Sequence, residues 1–205
     1  MRDSKSSRYI VGIDEAGRGP IAGPVTVGAF CVSTSFSSGL VKFFPKRKIR
    51  DSKKLSSEAR EKIYKLLKQE KSLGNISYAA SSVASSVIDQ RGITYAIRKA
   101  LANSLKMLKL DSPSCTVLLD GGLRAPDEFL NQKTIIKGDE KEAVIALASI
   151  VAKVTRDALM KSFAVKYPLY DFEIHKGYGT SGHYSRIRKM GFSPIHRRSF
   201  LKKMC

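Results

Sequence analysis

Tyr9-Ile10-Val11-Gly12-Ile13-Asp14-Glu15-Ala16-Gly17-Arg18-Gly19-Pro20-Ile21-Ala22-Gly23-Pro24-Val25-Thr26-Val27 is the stretch on which the reading of this chain turns. It opens as a short apolar run rich in β-branched residues, which predicts a buried strand. Two adjacent acids, Asp14 and Glu15, end the run. A turn with Gly17, Gly19, Pro20, Gly23 and Pro24 follows, and then a second apolar strand over residues 25–32. Side chains alternate across a strand, so the two acids cannot both face the core. A carboxylate at the end of a buried strand is costly without a partner. A hard cation such as Mg2+ is one such partner, because it prefers carboxylate oxygens. The glycines let backbone N–H groups come close to a phosphate or a ribose. An isolated Asp-Glu pair reads as turn chemistry. Its place between a buried strand and a Gly-Arg-Gly turn, in a very basic chain, favours a site.

The chain carries 37 Lys+Arg against 18 Asp+Glu, a formal net charge of +19 over 205 residues. That length predicts one domain over 1–205, with a basic substrate-binding segment from about 167 to 205. The excess charge predicts a polyanion partner, most simply nucleic acid, since solubility alone needs a much smaller net charge. No run approaches the roughly 18 apolar residues of a membrane span, and the opening MRDSKSSR lacks a signal-peptide core. The expected location is the cytoplasm, away from membranes. Cys31, Cys115 and Cys205 have no CxxC spacing, which argues against a zinc site or a disulfide framework. Cys31 and Cys115 fall in apolar runs and read as core residues.

Further along, residues 42–54 form a basic run that reads equally as a solvated face or as a loop that contacts a phosphate backbone. Ser56 is the expected cap of a helix running to about Lys71. A third strand begins at Ile76. Ile93, Ile97, Leu101, Leu105 and Leu108 recur at helical spacing and predict one helix over 93–109. Residues 115–119 read as a buried strand tipped by Asp120, and 134–136 as a short fifth strand. A long helix is expected over 140–166, with small residues Ala143, Ala146, Ala148, Ser149 and Ala152 that allow close approach to a sheet. The glycine-rich stretch 175–180 and a basic helix over 182–190 complete the tail.

Strands first and helices alternating with strands thereafter predict an α/β fold around a mixed sheet. If the strands ending at Asp14 and Asp120 are neighbours, their tips bring the two acids together. Asp157 from a packed helix and Glu15 from the turn complete a cluster of four, which repels itself without cations and suits two-metal phosphodiester cleavage. Alone, Asp120 before Gly121-Gly122 reads as a turn residue, and Asp157 as a surface partner of Lys153 at i,i+4 spacing. The combination carries more weight than its parts. No Ser-His-Asp arrangement competes.

Residues 12–20 and 22–25, with Asp51-Ser52-Lys53-Lys54-Leu55, Leu119-Asp120-Gly121, Lys137-Gly138-Asp139, residues 148–157, Gly177-Tyr178-Gly179-Thr180 and Arg198-Ser199-Phe200, resemble the blocks of bacterial ribonuclease HII in that family's order. The resemblance spans nearly the whole chain. It implies a ribonuclease H-like fold with a five-stranded sheet flanked by helices. It also implies a metal-dependent endonuclease using Mg2+ or Mn2+, two ions at catalysis. The substrate implied is RNA in RNA–DNA hybrids or ribonucleotides embedded in duplex DNA. Asp14, Glu15, Asp120 and Asp157 are then the catalytic, metal-binding carboxylates. Gly17, Arg18 and Gly19 contact the ribonucleotide 2′-OH through their backbone, and Tyr178 stacks on the next sugar. The 2′-OH is what distinguishes RNA from DNA at one nucleotide, which agrees with that assignment. Lys53, Thr180, His183, Arg197 and Arg198 are further expected substrate contacts. A monomer is expected, and no sliding-clamp motif is evident at the C-terminus.

A non-catalytic nucleic-acid binder accounts for the charge but has no need of four acids at element ends. Another nuclease of the same fold, acting on branched DNA, shares the carboxylates but has no need of a 2′-OH reader.

Overall fold

The computed structural model describes residues 8–40, 55–202 and 204, so the basic run 42–54 with Lys53, and Cys205, lie outside the described residues. Its centre is a five-stranded sheet of order β3-β2-β1-β4-β5. In chain order the elements are β1 (Tyr9–Ala16), β2 (Val25–Ser33), α1 (Ser57–Ser72), β3 (Ile76–Val83), α2 (Ser85–Arg91), α3 (Ile93–Leu108), β4 (Cys115–Asp120), β5 (Gln132–Ile135), α4 (Gly138–Lys141), α5 (Ala143–Lys166), α6 (Phe172–His175) and α7 (Ser181–Met190). β1, β2 and β3 pair antiparallel, while β4 runs parallel to β1 and β5 parallel to β4.

The local chemistry explains most boundaries. β2 is buried along almost its whole length, as a central strand covered on both faces must be. The Ser56 side chain caps α1 by accepting the Ala59 N–H at 3.1 Å. Along α3, Ala96, Ile97, Ala100, Leu101 and Leu105 turn one stripe inward.

Helices cover both faces of the sheet. On one face, Val11, Ile13, Val27, Val117 and Leu119 meet α3, with Cys31 and Cys115 in the same cluster. On the other, Phe30 and Val32 meet Leu67 of α1 and the inner face of α5, with Ile10 and Leu118 packed beside them. The small residues of α5 let it lie directly on the strands. A Cβ at Gly12 would come within 2.1 Å of the Val144 carbonyl oxygen, and one at Gly28 within 2.3 Å of the Ala148 oxygen.

Two expectations shift. The helix expected over 140–166 is interrupted at Glu142, which is extended (φ −117°, ψ 119°) between α4 and α5. The break follows from anchoring: α4 is pinned where the Gly138 N–H donates to Asp120, and the chain must re-aim there to lay α5 over the sheet. The fifth strand is Gln132–Ile135 rather than 134–136, because its register is set by pairing Gln132 with Val117 through Ile135 with Asp120.

Beyond α5 the chain changes character. It winds through short helical turns and left-handed residues at Asp171 and Lys176. Among the described residues no helix is long and apolar enough to cross a membrane.

Candidate active site

The alternation of β1 decides which acid faces what. Ile10 and Gly12 face α5 while Val11 and Ile13 face α3, so Asp14 continues the α5 face and Glu15 the opposite one. In β4, Leu118 faces α5, so Asp120 does too. The parallel register pairs Ile13 with Leu119, and the next residues along the two strands are Asp14 and Asp120. The two acids therefore stand side by side on one face, just past the point where the β1–β4 pairing ends. Across from them, α5 offers Ser149, Lys153, Arg156 and Asp157, spaced to share one helical face. Together with Glu15, Gly17–Gly19, Arg60 and Tyr178 they line one cleft of about 590 Å³.

Each acid is held. Asp14 is 4% exposed; its Oδ1 accepts the Glu15 N–H at 2.7 Å. Burial pushes its carboxyl up to about 8, opposed by a hydrogen bond from Ser149 and reinforced by repulsion from Glu15 and Asp120. Asp120 accepts the Gly138 N–H at 2.7 Å. Asp157 lies 3.6 Å from Arg60, and Glu15 lies 3.4 Å from Arg18. Held by these partners, no three acid, His or Cys side chains among the described residues converge closely enough to ligate an ion. The donor chemistry still suits a hard divalent cation: the lining acids offer only oxygen, and a cation among them offsets the burial and the repulsion from Glu15 and Asp120 that disfavour the Asp14 carboxylate.

The opposite wall is built from turns. Gly17 has φ +90°, and a Cβ there would come within 2.1 Å of Arg156 Nε, so only glycine fits. Nothing stands within 4 Å of a Cβ at Gly19, which leaves that backbone open. Tyr178 is 51% exposed at the rim. The Gly177 carbonyl accepts the Ile21 N–H at 2.9 Å and the Ala22 N–H at 3.2 Å, tying the tyrosine's turn to the Gly17–Gly23 loop. The tail joins the same seam through Arg197 N–H to Ile21 O and Gly23 N–H to Ile195 O, both 2.8 Å.

Among the expected substrate contacts, the structure separates the exposed from the buried. Arg18, Tyr178, Thr180 and Arg198 are exposed. Thr180 also caps α7, accepting the His183 N–H at 3.2 Å. His183 and Arg197 are a correction to the sequence reading: both are 0% exposed, so neither side chain reaches the cleft surface. Arg197 instead donates to the carbonyls of Gly17 at 2.6 Å, Arg18 at 3.0 Å and Gly23 at 3.0 Å. Arg156, which the sequence reading passed over, does the same for Pro24 at 2.9 Å and Ala22 at 3.2 Å. Two buried guanidinium groups thus occupy the carbonyls of the glycine turn. Ser149 and Arg60 were also missed; their positions on the faces of α5 and α1 nearest the acids were the available signal.

The family model for Ribonuclease HII matches residues 11–203. A Ribonuclease HII of Caldicellulosiruptor bescii is 42% identical over 198 residues, covering 96% of this chain and 88% of that protein. The ribonuclease H2 structure of Pyrococcus horikoshii OT3 superposes with a TM-score of 0.74 at 24% identity, covering 96% of each chain. Bst ribonuclease HIII in complex with Mn2+ superposes with a TM-score of 0.64 at 16% identity, covering 95% of this chain and 65% of that one. The two structural likenesses establish a shared fold, a mixed five-stranded sheet flanked by helices.

Proposed function

The chain belongs to the ribonuclease HII family and is an endoribonuclease; on that premise we propose that it hydrolyses RNA in RNA–DNA hybrids and cuts duplex DNA on the 5′ side of an embedded ribonucleotide. The observation that carries this reading is the shared cleft: Asp14, Glu15, Asp120 and Asp157 line it together with the open Gly17–Gly19 backbone and Tyr178.

Asp14, Glu15, Asp120 and Asp157 are the residues that would hold Mg2+ or Mn2+, the latter being the ion bound in the ribonuclease HIII structure. Two such ions would activate water and stabilise the leaving oxygen. Attack of water on phosphorus with departure of the 3′ oxygen leaves a 3′-OH and a 5′-phosphate. The backbone of Gly17–Gly19 reads the 2′-OH of the nucleotide after the cut, and Tyr178 stacks on the following sugar. That 2′-OH lies on the wrong side of the bond to act as nucleophile, so it serves recognition alone.

A second groove of about 280 Å³ shares Ser57, Arg60 and Asp157 with the cleft and continues between α1 and α5 past Lys65, Lys68 and Lys161. Lysines along such a groove suit a phosphate backbone and position it without reading sequence. The working unit we propose is a monomer.

The test is cleavage of a duplex with one ribonucleotide against the same duplex with 2′-deoxy at that site, in Mg2+ and in Mn2+, with ends mapped. A single cut 5′ of the ribonucleotide is the expected result. Equal cleavage of both duplexes would refute the 2′-OH reading.

A further inference from the structure

All three histidines of the chain, His175, His183 and His196, gather beneath the turn that carries Tyr178. Their hydrogen bonds fix where the protons sit. The Ser193 N–H donates to His196 Nδ1 at 2.8 Å, so that nitrogen presents its lone pair and the His196 proton is on Nε2. His196 Nε2 lies 3.0 Å from His183 Nε2; the first donates, the second accepts, and the His183 proton is left on Nδ1. That Nδ1 lies 2.9 Å from the Tyr178 carbonyl oxygen. The same oxygen accepts the Thr180 N–H at 2.9 Å, which uses both of its lone pairs.

His175 braces this arrangement. Its ring stacks on His183 with centroids 4.0 Å apart. Its Nδ1 accepts the Gly177 N–H at 3.1 Å, and its Nε2 donates to the Tyr170 carbonyl at 2.7 Å. Phe172 closes against the edges of His175 and His183 at 82° and 89°. The turn above gains from such bracing, because Lys176, a residue with a Cβ, holds φ 51°, a conformation that persists only where its surroundings over-determine it, while the next residue, Gly177, takes φ 83° freely.

We propose that His183, oriented by His196, is a positioning residue for substrate recognition. The neutral pair forms a one-way hydrogen-bonded column from the Ser193 backbone to the Tyr178 carbonyl, and it fixes the turn that presents the Tyr178 ring to the cleft. The column has one direction only. A proton on His183 Nε2 would face the His196 N–H, and a lone pair on Nδ1 would face a carbonyl oxygen. Burial holds both imidazoles well below their ordinary pKa, at about 4, so the column is neutral where the enzyme works. This inference rests on the reading of Tyr178 as the sugar-stacking residue.

Imidazole 15N shifts of the wild-type protein at neutral pH read the column directly. The expected tautomers are Nδ1–H on His183 and Nε2–H on His196; Nε2–H on His183 would overturn the proposal. The functional arm compares His183→Leu, which removes the donor, with His183→Asn, whose amide keeps one near the Nδ1 position. The readout is the ratio of cleavage at a single embedded ribonucleotide to cleavage of a long RNA–DNA hybrid. Loss of one buried hydrogen bond predicts a fall of about tenfold in His183→Leu, with most of it restored in His183→Asn. A ratio unchanged in a folded His183→Leu would overturn the column, and if that variant does not fold, the tautomers decide. Tyr178→Ala separates the two levels. A wild-type ratio there removes the Tyr178 reading, whereas a reduced ratio there beside a wild-type ratio in His183→Leu removes the column alone.

Discussion

The acid wall and the turn wall face each other across one cleft, yet they are built in different ways. Asp14, Asp120 and Asp157 ride on β1, β4 and α5, whose hydrogen bonds close within and between regular elements. Gly17–Gly19 and Tyr178 sit on turns whose backbone is satisfied by side chains from elsewhere: Arg156, Arg197 and His183. A carboxylate that must sit close to others needs a stiff support, and strand tips beside a packed helix supply it. A backbone that must present its N–H groups to a substrate cannot pair them within a sheet. Its carbonyls are instead tied down from behind, by buried Arg156 of α5 and by Arg197 and His183 of the tail. Substitutions in the acid wall should therefore abolish chemistry and spare the fold, and those behind the turn wall should cost both stability and selectivity.

The largest expected effect breaks the acid wall alone. Asp14→Asn keeps the shape and removes the charge, and cleavage should fall by several orders of magnitude. Thermal unfolding should show a Tm no lower than wild type, because burial and the neighbouring Glu15 and Asp120 already disfavour the Asp14 carboxylate. Near wild-type cleavage by Asp14→Asn would remove this residue from the chemistry.

Arg197→Met is next and should break both properties of the turn wall at once. It strands the buried carbonyls of Gly17 and Gly23 and the part-buried carbonyl of Arg18. Hydrogen bonds to a charged donor are worth about 1.5–3 kcal/mol each, so urea unfolding should show a loss of roughly 4 kcal/mol or more. Selectivity for a single ribonucleotide should fall with it. Arg197→Lys should recover little, since one ammonium cannot span three acceptors that a planar guanidinium reaches together. A stable, fully selective Arg197→Met would erase the contrast between the walls.

The histidine column sharpens the same contrast through pH. His183 and His196 have folded pKa values of about 4 against an ordinary 6.5, mainly from burial. Between those values the unfolded chain binds more protons than the folded one. Stability is therefore full above about pH 6.5 and drains away as pH falls toward 4, by on the order of 3 kcal/mol per histidine. Urea midpoints measured across that window should fall more steeply toward acid in wild type than in His183→Asn, which lacks one of the two titrating imidazoles. Parallel curves would mean that His183 is not held neutral by the fold.

These contrasts also explain what could be read in the sequence. Asp14 and Asp120 were legible because a buried apolar strand that ends in an acid is a local anomaly, and strand alternation fixes which way each points. Gly17 was legible as a backbone position, but its reason, the Arg156 side chain filling the space of a Cβ, was not. His183 and Arg197 were misread because basic residues in a glycine-rich tail look solvated. The burial of Arg197 depends on carbonyls contributed from residues 17–23, about 180 positions earlier for Gly17, and that of His183 on a partner ring, His196, from beyond α7; no local pattern encodes either meeting. The break at Glu142 was hidden for a related reason: it follows from the Gly138 contact to Asp120, a contact between the start of α4 and the end of β4 rather than a property of the helix pattern.

Adjacent arginines give the smallest and most specific test. Arg197 is fully buried, whereas Arg198 is exposed, held in place where its own N–H and the Ser199 N–H both donate to Asp89 at 3.0 Å. Its side chain is thus anchored by the backbone and free to meet a phosphate. Each phosphate neutralised contributes about −0.9 to the slope of log affinity against log salt on duplex DNA. Arg198→Ala should weaken duplex binding only a few-fold at moderate salt and make the slope shallower by about 0.9, with cut position and Tm unchanged. Arg197 variants that remain folded should leave the slope as it is, because a guanidinium already bonded to three carbonyls releases no counterion. Binding isotherms over a salt series distinguish the two positions. A slope that moves with Arg197 and not with Arg198 would mean that the buried arginine turns outward to meet the nucleic acid, and the turn wall would then be remade on binding rather than preformed.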